Sequence, residues 1–352
     1  MKHSRPQYMN IRPHMNPLCF VPAASVLLLI FFLLLCGCGS QSVPLSRTGF
    51  FFDTVIGITL YDSDSEELLD ECFSLAAKYE NMLSKTKENS DLWNINHARG
   101  ASVTVSDDTI AVLNAALSYA ALSEGAVDPT IGSVNKLWSF TDESNASGIP
   151  SHLIPAPDRL QKALSHVDYR CISISGTSVT LSDPEAELDL GFIAKGYIAD
   201  RIKAYLVSEG VKSAIINLGG NVLTIGHKPD GTSFHVGIKQ PFSDDGTTAF
   251  TLAADDISIV SSGIYERFFK ADGIIYHHIL DTKTGYPIQN NLFQVTIISA
   301  SSTDADALST LCFALGLEKG MALAESLTDT EAVFITSDGS LHSTSGITLS
   351  PQ

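Results

Sequence analysis

The sequence predicts an α+β fold, a single large domain with mixed or antiparallel sheets and packed helices. Short strand-like segments and longer helical ones are mixed along the body of the chain. Two neighbouring strand-like segments, 171–174 and 178–181, form a predicted hairpin. No linker rich in proline and glycine divides the roughly 300 residues of the body, so we expect one domain or two closely joined lobes.

The predicted helices carry apolar residues at helical spacing. The clearest is 65–81, in which Leu68, Leu69 and Cys72 fall on one face. Further helices are predicted at 107–123, 193–207, 303–315 and 318–326. Besides the hairpin, alternating polarity predicts strands at 50–61, 214–217, 222–225, 234–238, 264–269, 274–280 and 294–299.

The first residues have the layout of an export signal. Lys2, Arg5 and Arg12 precede an unbroken apolar run at 26–35 without any acidic residue. The run is too short for a typical membrane span. An uncleaved N-terminal anchor is the alternative, and both interpretations place the body at the extracytoplasmic face of the cell membrane.

The apolar run ends in Leu-Cys-Gly-Cys at 35–38, which resembles the bacterial lipobox. Residues 1–37 are therefore predicted to be a lipoprotein signal peptide, and Cys38 the lipid-modified mature N-terminus. The stretch 38–46 is rich in serine, glutamine and proline, and we expect a flexible tether there. The predicted folded domain follows at 47–345.

The charge of the chain argues against nucleic-acid binding. The full chain carries a net charge of −17, and removal of residues 1–37 leaves 19 basic and 39 acidic residues, a net charge of −20. Three cysteines remain in the body, Cys72, Cys171 and Cys312. Each lies in an apolar pattern, so we expect core residues, while one disulfide between two of them stays open.

Asp306 and Thr310 are the first candidate pair. They are four residues apart on a predicted helix, so both side chains project from one face and could share a cation. The alternative is structural: Thr303 or Asp304 caps the helix, and Asp306 stabilises its first turn through the helix dipole.

His278 is a candidate base. It follows His277 in an alternating run, so the two rings are expected on opposite faces of a strand. A lone histidine on a strand is more often a hydrogen-bonded or exposed side chain. The Thr-Gly-Tyr-Pro sequence at 284–287 predicts a tight turn, with Gly285 at positive φ.

The segment 188–200 places Asp189 and Lys195 around a strand-to-helix junction, where exposed backbone amides attract phosphate. Lys195 falls in the first turn, the unfavourable end for the helix dipole, which favours an anionic ligand there. The Asn-Leu-Gly-Gly-Asn sequence at 217–221 predicts a glycine turn between two strands, either plain hairpin geometry or a place where a ligand approaches the backbone.

In this order, these segments resemble the ApbE family of FAD:protein FMN transferases. The resemblance covers nearly the whole body, and several ordered motifs are more specific than any one of them. The motifs are Phe52-Asp53-Thr54, Leu83-Ser84, 90–96, Ala126-Val127-Asp128-Pro129-Thr130-Ile131-Gly132, Leu137-Trp138-Ser139-Phe140, 189–200, 217–221 and 259–316.

The resemblance implies an ApbE-like, T-fold-related architecture and Mg²⁺-dependent transfer of FMN from FAD to a Ser or Thr hydroxyl of an acceptor protein, with release of AMP. The acceptor would be a membrane-associated redox subunit. By family position Asp306, Thr310 and the backbone carbonyl of Phe192 would bind Mg²⁺, an all-oxygen set that suits this ion. His278 would be the base. Phe52, Ala126, Val127, Asp128, Asp189 and Lys195 would line the FAD site.

Two departures from the family pattern bear on the activity. The family commonly has an aromatic residue after the position of Ser84, where this chain has Lys85-Thr86, and many members have Met-Gly-Thr where this chain has Phe52-Asp53-Thr54. Weaker exclusion of water near Thr86 would favour hydrolysis. The alternative functions are therefore an Mg²⁺-dependent FAD pyrophosphatase that yields FMN and AMP, and a flavin-binding lipoprotein without catalysis.

Overall fold

An eight-stranded antiparallel sheet forms the centre of the computed structural model, which describes residues 43–140, 153–243 and 246–348. Its strands, in spatial order, are β1 (Leu45–Phe51), β2 (Thr54–Leu60), β6 (Ala214–Leu218), β7 (Asn221–Ile225), β10 (Ser258–Gly263), β13 (Leu292–Ser299), β14 (Thr330–Thr336) and β15 (Leu341–Ser343). Smaller antiparallel sheets contain β3 (Val103–Thr104), β4 (Ile172–Ser175) and β5 (Ser178–Leu181), then β8 (Phe234–Lys239) and β9 (Thr248–Ala254), then β11 (Phe268–Ala271) and β12 (Ile274–His277).

Seven α-helices lie in the described part of the chain. They are α1 (Glu66–Leu83), α2 (Asp91–His97), α3 (Asp107–Leu122), α4 (Gly132–Asn135), α5 (Pro157–Leu164), α6 (Ala194–Ser208) and α7 (Ser302–Ser326). Serine side chains at the N-caps of four of them accept a backbone N–H of the first turn, which fixes where these helices begin. These caps are Ser65, Ser90, Ser106 and Ser301.

The two faces of the large sheet are covered differently. On one face Ile56, Ile58 and Ile216 pack in a core with residues of α1 and α6. On the other face the β8–β9 hairpin packs through Phe234 and Phe250 against residues of β10 and β14. The fold class predicted from the sequence, one α+β domain with antiparallel sheets, is therefore confirmed.

The predicted helices at 65–81, 107–123 and 193–207 correspond to α1, α3 and α6, and the hairpin at 171–181 corresponds to β4 and β5. The two predicted helices at 303–326 are the halves of α7, which breaks at Gly316 with φ 78°. By length and composition α7 could cross a membrane, but it packs against β10, β13 and β14 as a core helix.

Several boundary predictions are wrong. The strand predicted at 50–61 is a hairpin, because Phe52 and Asp53 both have positive φ and reverse the chain between β1 and β2. The strand predicted at 264–269 begins only at Phe268, and β10 precedes it. Ser301, rather than Thr303 or Asp304, is the N-cap of α7. β9, β14 and β15 were not predicted.

The predicted signal peptide, Cys38 and residues 38–42 of the predicted tether lie outside the described residues. Within the described part, the tether prediction ends too late, because Leu45 and Ser46 already belong to β1. Cys72 and Cys312 are buried, as predicted, whereas Cys171 is half-buried. All three are free thiols.

Helices α6 and α7 cross at Gly196 with no room for a side chain. A β-carbon at this position would overlap the backbone carbonyl of Ser302 and come within 2.7 Å of the β-carbon of Asp306. Glycine at this crossing therefore lets α6 approach the helix that carries Asp306.

Gly196→Ala is expected to destabilise the fold by about 2 kcal/mol or more, because the added methyl group forces the two helices apart. Gly57→Ala is the matched control, since the nearest atom to its added methyl group would lie at 3.7 Å, an ordinary contact. Thermal unfolding of both variants tests this. Equal melting temperatures for Gly196→Ala and Gly57→Ala would contradict the packing argument.

Candidate active site

Two turns and one strand end meet at the same end of the large sheet. The Phe52-Asp53 turn lies beside the Gly219-Gly220 turn, and a β-carbon on Gly219 would overlap the side chain of Thr54. Both glycines have positive φ, as the hairpin prediction required. The Arg267 guanidinium reaches the same place and donates to the Asp53 carbonyl at 3.3 Å.

Phe52 is the predicted flavin-site residue in this group. It is half-buried at a φ of 54°, and its backbone N–H donates to Glu80 Oε1 at 2.8 Å. A bulky residue in the left-handed region is strained unless its surroundings hold it there. The hydrogen bond from Phe52 to Glu80 helps to hold it, so the phenyl ring occupies a constrained position at this end of the sheet.

Helices α6 and α7 cap each other's N-termini. Asp306 of α7 accepts the Gly196 N–H of α6 at 2.9 Å, and Asp200 of α6 accepts the Ser302 and Thr303 N–H groups at 2.9 Å and 2.8 Å. Because the first turn of a helix presents unpaired amides and partial positive charge, each carboxylate satisfies the partner helix. Asp306 therefore caps the N-terminus of α6. This differs from the structural alternative drawn from the sequence, in which Asp306 stabilises the first turn of its own helix.

The three predicted cation ligands have free oxygen atoms near this crossing. Asp306 Oδ2 accepts the Gly196 amide, and Asp306 Oδ1 lies 3.9 Å from Lys195 Nζ. The Gly196 amide is thereby diverted from the Phe192 carbonyl, which accepts no hydrogen bond from the described residues. Thr310 Oγ1 contacts Ser262 Oγ at 3.1 Å, and a hydroxyl in that contact keeps a lone pair.

One carboxylate, one hydroxyl and one carbonyl form an oxygen set that suits Mg²⁺, which usually keeps several waters and takes few protein ligands. No group of three or more His, Cys, Asp or Glu side chains with metal-binding geometry occurs among the residues described here. The residues present therefore fit a hard cation bound together with phosphate and water, and they do not form a closed protein cage.

Asp306 and Glu266 are the two carboxylates on which the charge of Lys195 acts. Burial raises the pKa of Asp306, and the Lys195 charge and the Gly196 amide oppose this effect. Desolvation by neighbouring atoms raises the pKa of Glu266, while the charges of Lys195 and Arg267 lower it. A cation placed between these carboxylates would relieve their mutual repulsion.

Asp189 lies in a polar cluster at the other end of the segment that leads to Lys195. Its carboxylate accepts Lys85 Nζ and Asn135 Nδ2, each at 2.5 Å, and the Gly191 N–H at 2.8 Å. Burial would raise the pKa of Asp189, but the Lys85 charge and these hydrogen bonds lower it below its ordinary value. Asp189 is thus an ionised, buried carboxylate with fixed orientation.

Asp128 has a structural function in the described chain. It is 4 % exposed and accepts the N–H and hydroxyl of Thr130 and the N–H of Tyr169, at 2.6 to 2.8 Å. Burial raises the pKa of Asp128, and these bonds oppose the rise. Its carboxylate fixes the turn after α3, so a contact with flavin from this segment would come from its backbone or from residues before it.

Ala126 and Val127 lie closer to the α7 helix. Val127 is buried in a core cluster with Ala305 and Leu308 of α7, and Ala126 and Phe192 pack against the same cluster. The structure thus brings together two predicted flavin-site residues and one predicted cation ligand that are far apart in sequence.

His278 lies directly after β12, half-buried, with its ring held by Arg267. The His278 N–H donates to the Arg267 carbonyl at 3.1 Å, and Nδ1 lies 3.3 Å from the same oxygen. A proton on Nδ1 satisfies that carbonyl and leaves Nε2 free to accept a proton. Desolvation lowers the pKa of His278 to about 3, with further lowering from His277 and Arg267, so the ring is neutral at pH 7.

His277 points to the other side, as predicted for neighbours on a strand. It is 2 % exposed, Nε2 donates to the Ile288 carbonyl at 2.9 Å, and Nδ1 accepts the Ile279 N–H at 3.3 Å. These two partners require the neutral ring. His277 is therefore a satisfied core histidine.

Acid is expected to destabilise the fold through His277. Burial lowers the pKa of His277 from 6.5 to about 4, with the Ile288 hydrogen bond opposing. The unfolded state then binds the proton more tightly, so the free energy of unfolding falls between pH 6.5 and pH 4, on the order of 3 kcal/mol. His277→Gln keeps a donor for Ile288 and should make this part of the curve less steep in urea denaturation, while the contribution of His278, whose pKa is lowered to about 3, remains. An equally steep curve would contradict the assignment.

Several residues of this site were not predicted. Lys85 was noted only as a departure from the family pattern, although it pairs with Asp189. Asn135, Asp200, Ser262 and Glu266 had no assigned role. Asp200 carried a weak signal, since it lies at helical spacing from Gly196 on a predicted helix, but its partners on α7 are 102 and 103 residues away.

Comparison with known proteins decides the family. The model of the ApbE family matches residues 52–334, which is most of the described chain. The chain belongs to the ApbE family. The matched range includes the Phe52 turn, the α6–α7 crossing and His278.

Curated relatives of this ApbE-family protein are named FAD:protein FMN transferase. The one from Klebsiella pneumoniae strain 342 is 39 % identical over 282 residues, covering 79 % of this chain and 85 % of the relative. The one from Treponema pallidum strain Nichols is 34 % identical over 339 residues, covering 89 % and 92 %.

Solved structures agree with the fold. The ApbE protein of Thermotoga maritima has a TM-score of 0.77 at 28 % identity and covers 86 % of this chain and 98 % of its own. The flavin transferase ApbE from Vibrio cholerae has a TM-score of 0.73 at 27 % identity and covers 86 % and 97 %.

Proposed function

We propose that this ApbE-family protein cleaves FAD with Mg²⁺ and transfers FMN to a Ser or Thr hydroxyl of an acceptor protein, releasing AMP. Membership of the family makes the chain a flavin transferase with FAD as substrate and a protein as acceptor. The observation that best supports the finer chemistry is the crossing of α6 and α7. There Asp306, Thr310 and the Phe192 carbonyl offer oxygen ligands beside Lys195 and two helix N-termini.

Lys195, beside these oxygen ligands, favours an anionic group at this place. A lysine and a cation held by oxygen ligands both attract phosphate oxygens, so the pyrophosphate of FAD is the natural occupant. Phe52, Ala126 and Asp189 would then bind the parts of FAD that extend from it. Mg²⁺, when bound, neutralises charge on the phosphate oxygens in the loose transition state.

His278 accepts the proton of the incoming hydroxyl at Nε2 in this proposal. The hydroxyl oxygen forms a new bond to the FMN phosphorus, the bond from that phosphorus to the bridging oxygen breaks, and AMP leaves with the bond electrons. The carbonyl of Arg267 keeps the other ring nitrogen protonated, which sets the orientation of the base.

The transfer is tested by following AMP and the acceptor together. The protein is incubated with FAD, Mg²⁺ and a flavin-acceptor domain, and one AMP is expected for each FMN bound covalently. An acceptor whose target hydroxyl is replaced by alanine serves as the control and should stay unmodified. Modification of that control, or an unmodified acceptor in the presence of active enzyme, would contradict the proposal.

The residues at 85 and 86 favour a second activity, hydrolysis of FAD to FMN and AMP. Lys85 donates to Asp189, and Thr86 is exposed, with its hydroxyl 3.1 Å from Ser84 Oγ. Neither position therefore supplies an aromatic ring that would cover the predicted flavin site. Water then reaches the reacting phosphorus more easily. AMP release without any acceptor would identify this activity, and its absence would exclude it.

The location of the protein is part of the proposal. A lipid on Cys38 would anchor the enzyme at the extracytoplasmic face of the cell membrane, where a membrane-associated redox subunit would be the acceptor. Cys38→Ser is expected to move the protein from the membrane fraction to the soluble fraction after cell fractionation. Retention in the membrane would instead support the uncleaved anchor.

A further inference from the structure

The segment from Ser262 to Arg267 contacts the predicted cation ligand Thr310, the Phe52-Asp53 turn and His278. Ser262 Oγ contacts Thr310 Oγ1 at 3.1 Å, and Arg267 joins the Asp53 carbonyl to the backbone and ring of His278. Glu266, between them, is exposed. No role in the reaction has been derived for this carboxylate so far.

Within the described ranges 43–140, 153–243 and 246–348, the side chain of Glu266 has no hydrogen bond and no ion pair. Its Oε1 would lie 3.7 Å from a β-carbon on Gly220, so the carboxylate stands over the glycine turn. The charges of Lys195 and Asp306 both act on it, which places Glu266 near the predicted cation site.

The negative charges near Lys195 exceed the positive ones once FAD binds. Asp306 and Glu266 share Lys195 as their common cationic neighbour, and the pyrophosphate of FAD adds further negative charge. Arg267 and Lys239 also act on Glu266, but two carboxylates and a doubly charged pyrophosphate still exceed these three cations, which is unfavourable unless a further cation joins them. The arrangement becomes favourable when a divalent cation occupies the space between Asp306 and the phosphates.

We propose that Glu266 is a positioning residue of the cation site, and that its carboxylate would accept hydrogen bonds from water bound to the cation. This inference rests on the proposed function, because it presumes the cation at Asp306 and Thr310. Mg²⁺ keeps several of its waters in proteins, and hydrogen bonds to such outer groups fix the orientation of the ion and its ligands. The lack of a protein partner leaves the Glu266 carboxylate available for those waters.

The test measures cation binding directly, with Mn²⁺ as the probe and electron paramagnetic resonance as the readout. Mn²⁺ is titrated into the full chain alone and with inorganic pyrophosphate. Glu266→Gln is expected to weaken Mn²⁺ binding about tenfold while the melting temperature stays unchanged. Glu209→Gln makes the same chemical change and is the control. Glu209 lies at the far end of α6, about 20 Å from Lys195, so this variant should bind Mn²⁺ like the wild type.

The comparison with Asp306→Asn separates this inference from the proposed function. If Asp306→Asn weakens Mn²⁺ binding and Glu266→Gln does not, the cation site stands and the role of Glu266 is wrong. If neither variant changes Mn²⁺ binding, the cation site itself is wrong. FAD affinity in EDTA is measured as well, and a loss in Glu266→Gln equal to its loss of Mn²⁺ affinity would assign Glu266 to the nucleotide and overturn the proposal.

Discussion

Asp306→Asn is expected to lower kcat for flavin transfer about a thousandfold, with the protein still folded. The amide can still accept the Gly196 N–H, so the cap of α6 survives, but the negative charge beside Lys195 is lost. If the carboxylate holds the cation that neutralises the phosphates, several kcal/mol of transition-state stabilisation disappear with it. Steady-state kinetics at saturating FAD, over a range of Mg²⁺ concentrations, measures the effect.

Asp200→Asn provides the matched control for Asp306→Asn. Asp200 caps α7 as Asp306 caps α6, but it has no place in the predicted cation site. We expect Asp200→Asn to lower the melting temperature with a smaller loss of kcat, because it weakens a helix cap. Similar losses of kcat in the two variants would mean that Asp306 acts only through the structure of the crossing.

His278→Ala is expected to reduce kcat by about a hundredfold to ten thousandfold, the usual range for loss of a general base. FAD affinity should change little, since the ring is assigned to the acceptor hydroxyl. Because the pKa of His278 is lowered to about 3, kcat/KM of the wild type should show no acid limb near pH 6.5 from this residue. Transfer rates and FAD titrations of the variant check both statements.

The neighbouring histidine supplies the comparison for His278→Ala. His277→Gln removes an imidazole one residue away that faces the core, so its effect should appear in stability and only weakly in kcat. If His278→Ala loses FAD affinity and kcat in equal measure, the ring binds the substrate and is not the base.

Local features of the site could be predicted from the sequence because they depend on spacing within one element. Asp306 and Thr310 share a face of α7 by helical periodicity, and Lys195 falls in the first turn of α6. The positive φ of Gly285 follows from turn chemistry. Family resemblance added the roles, which spacing alone could not provide.

Contacts between distant segments could not be predicted in this way. Lys85 and Asp189 are 104 residues apart, and Gly196 and Asp306 are 110 apart, so no local pattern indicates these pairs. The hairpin at Phe52-Asp53 was missed for another reason. Its turn lacks the usual glycine or asparagine, and tertiary contacts hold two other residues at positive φ.

A crystal soaked with FAD and Mn²⁺ tests the cation site most directly. Anomalous scattering locates the metal without ambiguity among the oxygen atoms. The geometry at the crossing of α6 and α7 predicts one peak within coordination distance of Asp306 Oδ1, Thr310 Oγ1 and the Phe192 carbonyl, in contact with the pyrophosphate. A metal elsewhere, or a pyrophosphate that Asp306 and Thr310 face away from, would contradict it.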